Sequence, residues 1–374
     1  MTHFVVGATD GAARRGQLAL RSGIVETPLF MPVATRGMVR LTPTEIVADL
    51  GYQVLLSNTY HLMLRPGAEV VAKMGGLNAF TGFPGASLTD SGGFQIMSLD
   101  ATITSTGARF RNVYDGSWVT LTPEEAVSTQ EALGADIAMV LDVCTKLPAD
   151  RDVLSYNLEL TTRWAQRCAE ARRDETQRLF GIVQGGVDAE LRSMSAQAIA
   201  DIGFDGYAIG GLAVGESAES TLDALRASIA ELPADRPRYL MGVGDPYLMA
   251  HAVALGVDMF DCVAPTRLAR HGTALTQQGP LRVKGVGQRG LDEPLDPACG
   301  CRVCQRVSKG LLHHLLHVDH ESAGALLSIH NLAFQFELIS RLRKAIDDHK
   351  IEEVLTQVDK IWRRPTLASS LGND

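Results

Sequence analysis

Eight short apolar runs, each separated from the next by a stretch carrying helix signals, constrain the fold of this 374-residue chain more than any other feature. They cover residues 25–34, 52–57, 86–89, 137–143, 179–184, 206–212, 238–243 and 257–263. Runs of this length bounded by turn residues read as strands buried on both faces. Between them, Thr42-Pro43-Thr44-Glu45, Thr122-Pro123-Glu124-Glu125 and Asp150-Arg151-Asp152 each precede apolar positions at helical spacing, which is how helix N-termini read. Strands alternating with helices imply a parallel sheet, because parallel neighbours need a crossover. Eight such units close naturally into a (β/α)8 TIM barrel, an α/β fold of roughly 250 residues, which leaves room for an appendage. An open doubly wound sheet is the competing arrangement, but no G-x-G-x-x-G follows an early strand. The glycine-punctuated segment before residue 23 reads as a strand pair or cap preceding the main fold.

Barrel active sites sit at the C-terminal ends of the strands, so the polar residues that close each run matter most. The second run ends in Asn58-Thr59-Tyr60-His61, the third in Asp90-Ser91-Gly92-Gly93-Phe94-Gln95, and the fourth in Asp142-Val143-Cys144. Gln184-Gly185-Gly186, Gly210-Gly211-Leu212, Gly242-Val243-Gly244-Asp245 and Asp261 follow. Carboxylates and an amide at one rim, with glycines that admit a flat ligand to the backbone, describe a pocket for a planar polar molecule such as a nucleobase. Two separated carboxylates, Asp90 and Asp261, permit displacement at a sugar's anomeric carbon, one attacking while the other handles the leaving group's proton. Asp142 and Gln184 offer the acceptor and donor pattern of a purine's Watson–Crick edge, and Phe94 and Met241 could cover its faces.

Three of the six cysteines crowd into Cys299-Gly300-Cys301-Arg302-Val303-Cys304, too few and too uneven for a disulfide framework. Three thiolates at this spacing read as a structural zinc site needing a fourth ligand, for which His313, His314, His317, His320 and His330 are all available. The net charge of −8 argues against general nucleic-acid binding, but its distribution is uneven. Between Cys262 and Gly310, eight Lys or Arg residues, among them Arg267, Arg270, Lys284 and Arg289, face only three acids. That segment suits a polyanion held at one face. No run approaches the roughly 20 apolar residues of a membrane span, and the N-terminus lacks a charged, then apolar, leader, so a soluble cytoplasmic protein is expected.

Several of these blocks resemble the bacterial tRNA-guanine transglycosylases: Asn58-Thr59-Tyr60-His61-Leu62, Asp90 to Gln95, Val183-Gln184-Gly185-Gly186, Gly210 to Glu216, and Phe260-Asp261-Cys262-Val263-Ala264-Pro265-Thr266-Arg267. The resemblance implies a barrel with its cap over 1–264, a zinc-binding subdomain inserted after the eighth strand over 265–330, and C-terminal helices completing the barrel over 331–374. It implies Asp261 as nucleophile, Asp90 as general acid/base, and Asp142, Gln184, Gly211 and Leu212 as base-recognition residues, with Phe94 and Met241 stacking. Cys144 and Glu216 join the substrate-binding set, and His330 becomes the fourth ligand of one zinc ion per subunit. The implied partners are tRNAs with GUN anticodons (Asp, Asn, His, Tyr), a 7-deazaguanine base and a second copy of the chain. The implied reaction replaces the wobble guanine with 7-aminomethyl-7-deazaguanine, preQ1, on the route to queuosine. Val143 stands where many members carry glutamate, so queuine or another 7-deazaguanine is an alternative incoming base. A non-catalytic tRNA-binding partner subunit is the alternative from another class, and retention of both Asp90 and Asp261 argues against it.

Overall fold

The computed structural model describes residues 3–363, apart from 98 and 100. Residues 364–374, the end of the C-terminal stretch expected from sequence, lie outside the described residues. Eight parallel strands form one sheet: Leu29–Pro32, Val54–Asn58, Ala86–Asp90, Ile137–Met139, Arg178–Val183, Gly206–Ile209, Arg238–Leu240 and Met259–Cys262. The eighth strand pairs in parallel with the first, from Met259 opposite Leu29 to Cys262 opposite Pro32. The remaining seam closes through a parallel bridge between Val33 and Leu56, with the Ala34 amide donating to the Leu56 carbonyl at 2.6 Å. Each expected run supplies one strand of the barrel, so the (β/α)8 reading holds. The strand interiors, such as Met31, Leu88, Met139, Ile182, Ile209, Leu240 and Phe260, are almost wholly buried, as a barrel filled by its own side chains requires.

The first run divides in two. Gly23–Thr27 belongs to a three-stranded antiparallel cap with Phe4–Asp10 and Ala13–Leu20, and only Leu29–Pro32 enters the barrel. Pro28 lies between them and has no N–H to donate to a ladder. The cap is tied to the barrel floor by a buried ion pair in which the Arg14 guanidinium donates to both oxygens of Asp258, at 2.9 and 2.5 Å. A three-stranded sheet the sequence reading did not anticipate, Thr102–Ile103, Ala108–Arg111 and Trp118–Leu121, stands between the third and fourth strands. Of the three expected helix starts, Thr122 makes a full capping box with Glu125, whereas Pro43 and Asp150 precede their helices without a side-chain cap.

After the eighth strand the chain forms the short helix Ala264–Arg270, the hairpin Thr273–Thr276 with Gly279–Arg282, the cysteine loop and the helix Lys309–Val318. This excursion has its own apolar core, including Ala274, Val283, Leu295, Val303, Leu312 and Leu316. The long helix His320–Asp347 then returns to the barrel, running unbroken through residue 330. Tyr52 anchors it, donating its hydroxyl to the Leu332 carbonyl at 2.8 Å and packing edge-on against Phe336. No helix among the described residues is long and apolar enough to cross a membrane.

Candidate active site and metal centre

The C-terminal rim of the barrel gathers three carboxylates in three different environments. Asp90 ends the third strand and is held by three donors. The Asn58 amide gives its Nδ2 to Oδ2 at 2.6 Å, and the Thr59 and Gly92 backbone amides donate to Oδ1 at 3.0 and 3.1 Å. Asn58 is itself fixed, because its Oδ1 caps the next helix by accepting from the His61 amide at 3.0 Å. Burial outweighs these donors, and the nearby Asp261 adds repulsion, so the Asp90 carboxyl rises to about 7. A carboxyl near neutrality is suited to carry a proton in both directions.

Among the described residues, Asp261 in the eighth strand is gripped by one oxygen. Its Oδ1 accepts from the Tyr239 hydroxyl at 2.6 Å and from the Gly242 amide at 2.7 Å. Burial raises its pKa, while both donors favour the charged form. Gly242 has φ +74° with open space around a hypothetical Cβ, so its glycine serves backbone conformation rather than clearance.

Asp142 lies just past the fourth strand, paired with Gln184, whose Nε2 donates to Oδ2 at 2.6 Å. Ser91 donates weakly to the other oxygen at 3.3 Å. Burial lifts this carboxyl to about 6 against those hydrogen bonds. The surrounding glycines are needed for space: a Cβ at Gly211 would sit 2.5 Å from Gln184 Oε1, and one at Gly93 would sit 2.9 Å from Asp142 Oδ1. Buried Arg192 braces this floor by donating to the carbonyls of Gly186, Val183 and Gly211.

The other sequence candidates are placed less uniformly. Phe94 is exposed on the short helix Gly93–Met97 that follows Asp90, and Met241 is half-buried beside the Gly242 turn. Leu212 is buried in the apolar core, which leaves its backbone as the group available to a ligand. Burial pushes the Cys144 thiol up to about 12, with Asp142 adding to the effect, so it is no nucleophile. Glu216 is occupied locally, accepting from the Ala213 and Val214 amides of its loop and from the Thr221 hydroxyl on the helix that follows. Val143 is buried, with its amide donating to Thr161.

Arg267 and Arg270 leave the rim on the short helix after Asp261, each with a buried Nε that has no hydrogen-bond partner among the described residues. Burial and the charges of Arg40 and Arg267 lower the Arg270 pKa. Arg36 likewise lies close enough to act on His61, whose pKa is lowered mainly by burial. Arg40, in the loop after the first strand, therefore extends the basic surface to the opposite end of the sequence, and Arg36 of the same loop lies beside His61. Lys284 and Arg289 are exposed on the cysteine-bearing excursion. Sequence reasoning overlooked Tyr239, Arg36, Arg40 and Arg192. Nothing local marks them, since only barrel closure brings their segments to the same rim.

The metal centre lies outside the barrel. Ligand atoms of Cys299, Cys301, Cys304 and His330 all fall within 4.8 Å of one another. His330 turns Nδ1 toward the three sulfurs, at 3.7, 3.6 and 3.3 Å, while its Nε2 is engaged by the Leu275 carbonyl at 2.8 Å. That outer contact selects the tautomer whose Nδ1 lone pair can bind a metal. Three thiolates and one imidazole converging in this way fit a tetrahedral ion, for which Zn–S bonds of about 2.3 Å place the sulfurs under ~4 Å apart.

Fold and site together define a (β/α)8 barrel protein with a carboxylate-lined rim and a separate metal-binding excursion. The queuine tRNA-ribosyltransferase family profile matches residues 10–364. A queuine tRNA-ribosyltransferase of Solidesulfovibrio magneticus is 47% identical over 364 residues, covering 96% of this chain and 97% of that protein. Those of Saccharophagus degradans and Rhizobium meliloti are 47% and 44% identical, covering 94% and 97% of this chain and 95% and 98% of theirs. The chain belongs to the queuine tRNA-ribosyltransferase family and is a pentosyltransferase enzyme.

Proposed function

We propose that this enzyme exchanges the wobble guanine of tRNAs with GUN anticodons for a 7-deazaguanine, most favourably preQ1, in queuosine biosynthesis. The observation that carries the reading is the division of labour between Asp261 and Asp90. Asp261 Oδ1 takes two donors, which leaves Oδ2 for attack on the ribose C1′. The C1′–N9 bond breaks as the C1′–O bond forms, and protonated Asp90 gives its proton to the departing guanine. The incoming base then returns its N9 proton to the Asp90 carboxylate and displaces Asp261, and two inversions retain configuration. A group at about 7 serves both half-reactions.

Base recognition falls to the Asp142–Gln184 pair. Asp142 accepts from the base N1–H and exocyclic amine, and Gln184 and the Gly211 backbone address O6, with Leu212 through its backbone. Phe94 and Met241 cover the ring, and Cys144, Glu216 and Arg192 shape the surrounding loops. The basic residues Arg267, Arg270, Lys284 and Arg289, extended by Arg36 and Arg40, hold the anticodon loop with the target base splayed out.

Zinc is the ion that best suits the Cys299, Cys301, Cys304 and His330 set. It would hold the 265–330 subdomain folded, with no part in the chemistry. The resemblance to the bacterial transglycosylases also points to a homodimer. A cytoplasmic location accords with thiolates kept reduced.

The test is incorporation of radiolabelled guanine into an unmodified GUN transcript, with a wobble-substituted transcript as control. Incorporation into the GUN transcript alone is expected, together with a denaturant-stable protein–RNA adduct that Asp261→Ala abolishes. An adduct surviving in that variant would overturn the assignment of Asp261. No exchange by the folded, metal-loaded protein would favour the partner-subunit reading.

A further inference from the structure

Helix His320–Asp347 carries the fourth metal-site residue and, farther along, two amides that grip the loops on either side of Asp261. His330, Asn331 and Gln335 are all completely buried. Asn331 donates to the Pro265 and Thr273 carbonyls at 2.9 and 3.0 Å, and its Oδ1 accepts from the Leu275 amide at 2.8 Å. It thus clamps both ends of the helix that follows Asp261. Gln335 reaches the other way, and its Nε2 donates to the Gly244 carbonyl at 2.5 Å.

Gly244 lies two residues beyond Gly242, whose amide donates to Asp261. The stretch 241–245 forms neither helix nor strand. Such a turn needs anchors if one of its amides is to stay on a carboxylate. Met241 supplies the first, its amide donating to the Ile209 carbonyl, and Asp245 supplies the last by capping the following helix at the Leu248 amide. Gln335 is the anchor in the middle. It also seats Gly244 against the strand that bears Asp261, since a Cβ there would come within 2.6 Å of Cys262 Cβ. The opposite end of the same amide, Oε1, is buried without a hydrogen-bond partner among the described residues. An amide with one orphaned atom is a poor choice for packing alone, so the contact to Gly244 is what this side chain supplies.

We propose that Gln335 is a positioning residue for the exchange reaction. It holds the 241–245 turn so that the Gly242 amide meets Asp261 Oδ1, keeping that carboxylate charged and its other oxygen turned to the sugar. The proposal rests on the transglycosylase reading above.

The experiment compares wild type, Gln335→Met and Gln335→Glu as full-length, metal-loaded protein in guanine exchange, with melting and metal content measured alongside. Gln335→Met is expected to lose about tenfold or more in kcat, with the KM for guanine within about twofold, because only the aim of the nucleophile is disturbed. The acidic limb of its kcat/KM profile should move to higher pH, since the Asp261 carboxylate loses a donor. Its melting temperature should stay within about 3 °C of wild type, because the orphaned Oε1 is removed as the Gly244 carbonyl loses its donor. Gln335→Glu, whose buried acid form keeps an O–H donor for Gly244, should retain most of the activity.

Unchanged exchange in Gln335→Met would overturn the proposal. So would equal loss in both variants, or loss accompanied by early melting or failure to fold, each of which would make the role structural. An inactive wild type would refute the underlying reading instead, which separates the two failures.

Discussion

Asp90→Asn should stabilise the protein while removing its chemistry, and the size of the effect should depend on pH in a defined way. The Asp90 carboxyl sits at about 7 in the folded chain against an ordinary 3.8. Between those values the folded state holds a proton that the unfolded chain has released, so stability falls as pH rises through this window. A shift of about three pH units corresponds to ~4 kcal/mol at most, at 1.36 kcal/mol per unit. Asp90 is only partly buried at the rim, and solvent screening brings the expected figure nearer ~2 kcal/mol.

Asparagine cannot ionise, so the variant should gain on wild type by about that amount above pH 8 and by almost nothing below pH 4. A constant offset lowers both ends. The Asn58 amide now donates to Oδ2, and it would face an NH2 group while its own oxygen remains committed to the His61 amide. That mismatch costs about 1 kcal/mol at every pH and leaves the slope unchanged. Urea titrations of both proteins at pH 4, 6 and 8 measure the difference directly. Exchange activity should fall by roughly 10²–10⁴-fold as the proton carrier is lost. A stability difference that stays flat from pH 4 to 8 would refute the argument that burial has raised this carboxyl.

Two other substitutions test separate parts of the site. Gly211→Ala imposes φ +67° on a residue with a side chain and drives its Cβ to 2.5 Å from Gln184 Oε1. Its KM for guanine should rise by about tenfold, roughly 1.4 kcal/mol, with normal metal content, and unchanged guanine affinity would remove Gln184 from base recognition. Cys301→Ser should yield protein with well under one equivalent of zinc by elemental analysis and earlier melting, because three ligands recover only part of the roughly 10–16 kcal/mol of a structural site. Full occupancy in that variant would show that the ion is held by other residues.

Much of this molecule can be read along the chain, and the reason is local. A strand buried on both faces needs an unbroken apolar run, and a crossover helix needs a start signal, so eight repeats of the two are visible without knowledge of tertiary contacts. Three cysteines within six residues announce a metal in the same way. Asp90, Asp142, Gln184 and Asp261 were legible because each terminates such a run, and a barrel brings strand ends to one rim.

What the linear order leaves undecided is which groups meet. The five candidate histidines downstream of the cysteines lie at spacings that do not choose among them, and only folding sets Leu275 opposite His330 so that one imidazole turns Nδ1 to the sulfurs. The three rim aspartates are equivalent in sequence. Their ordering, with Asp90 at about 7 and Asp142 at about 6, arises from burial and from donors delivered by Asn58, Thr59, Gln184 and Ser91. Tyr239 and Gly242 reach Asp261 from the neighbouring strand and the turn after it, and Arg40 joins Arg270 across more than 220 residues of chain. Local pattern is set by backbone periodicity over a few residues. Protonation and charge clustering depend on fields and desolvation that act through space, and only the closed barrel determines those distances.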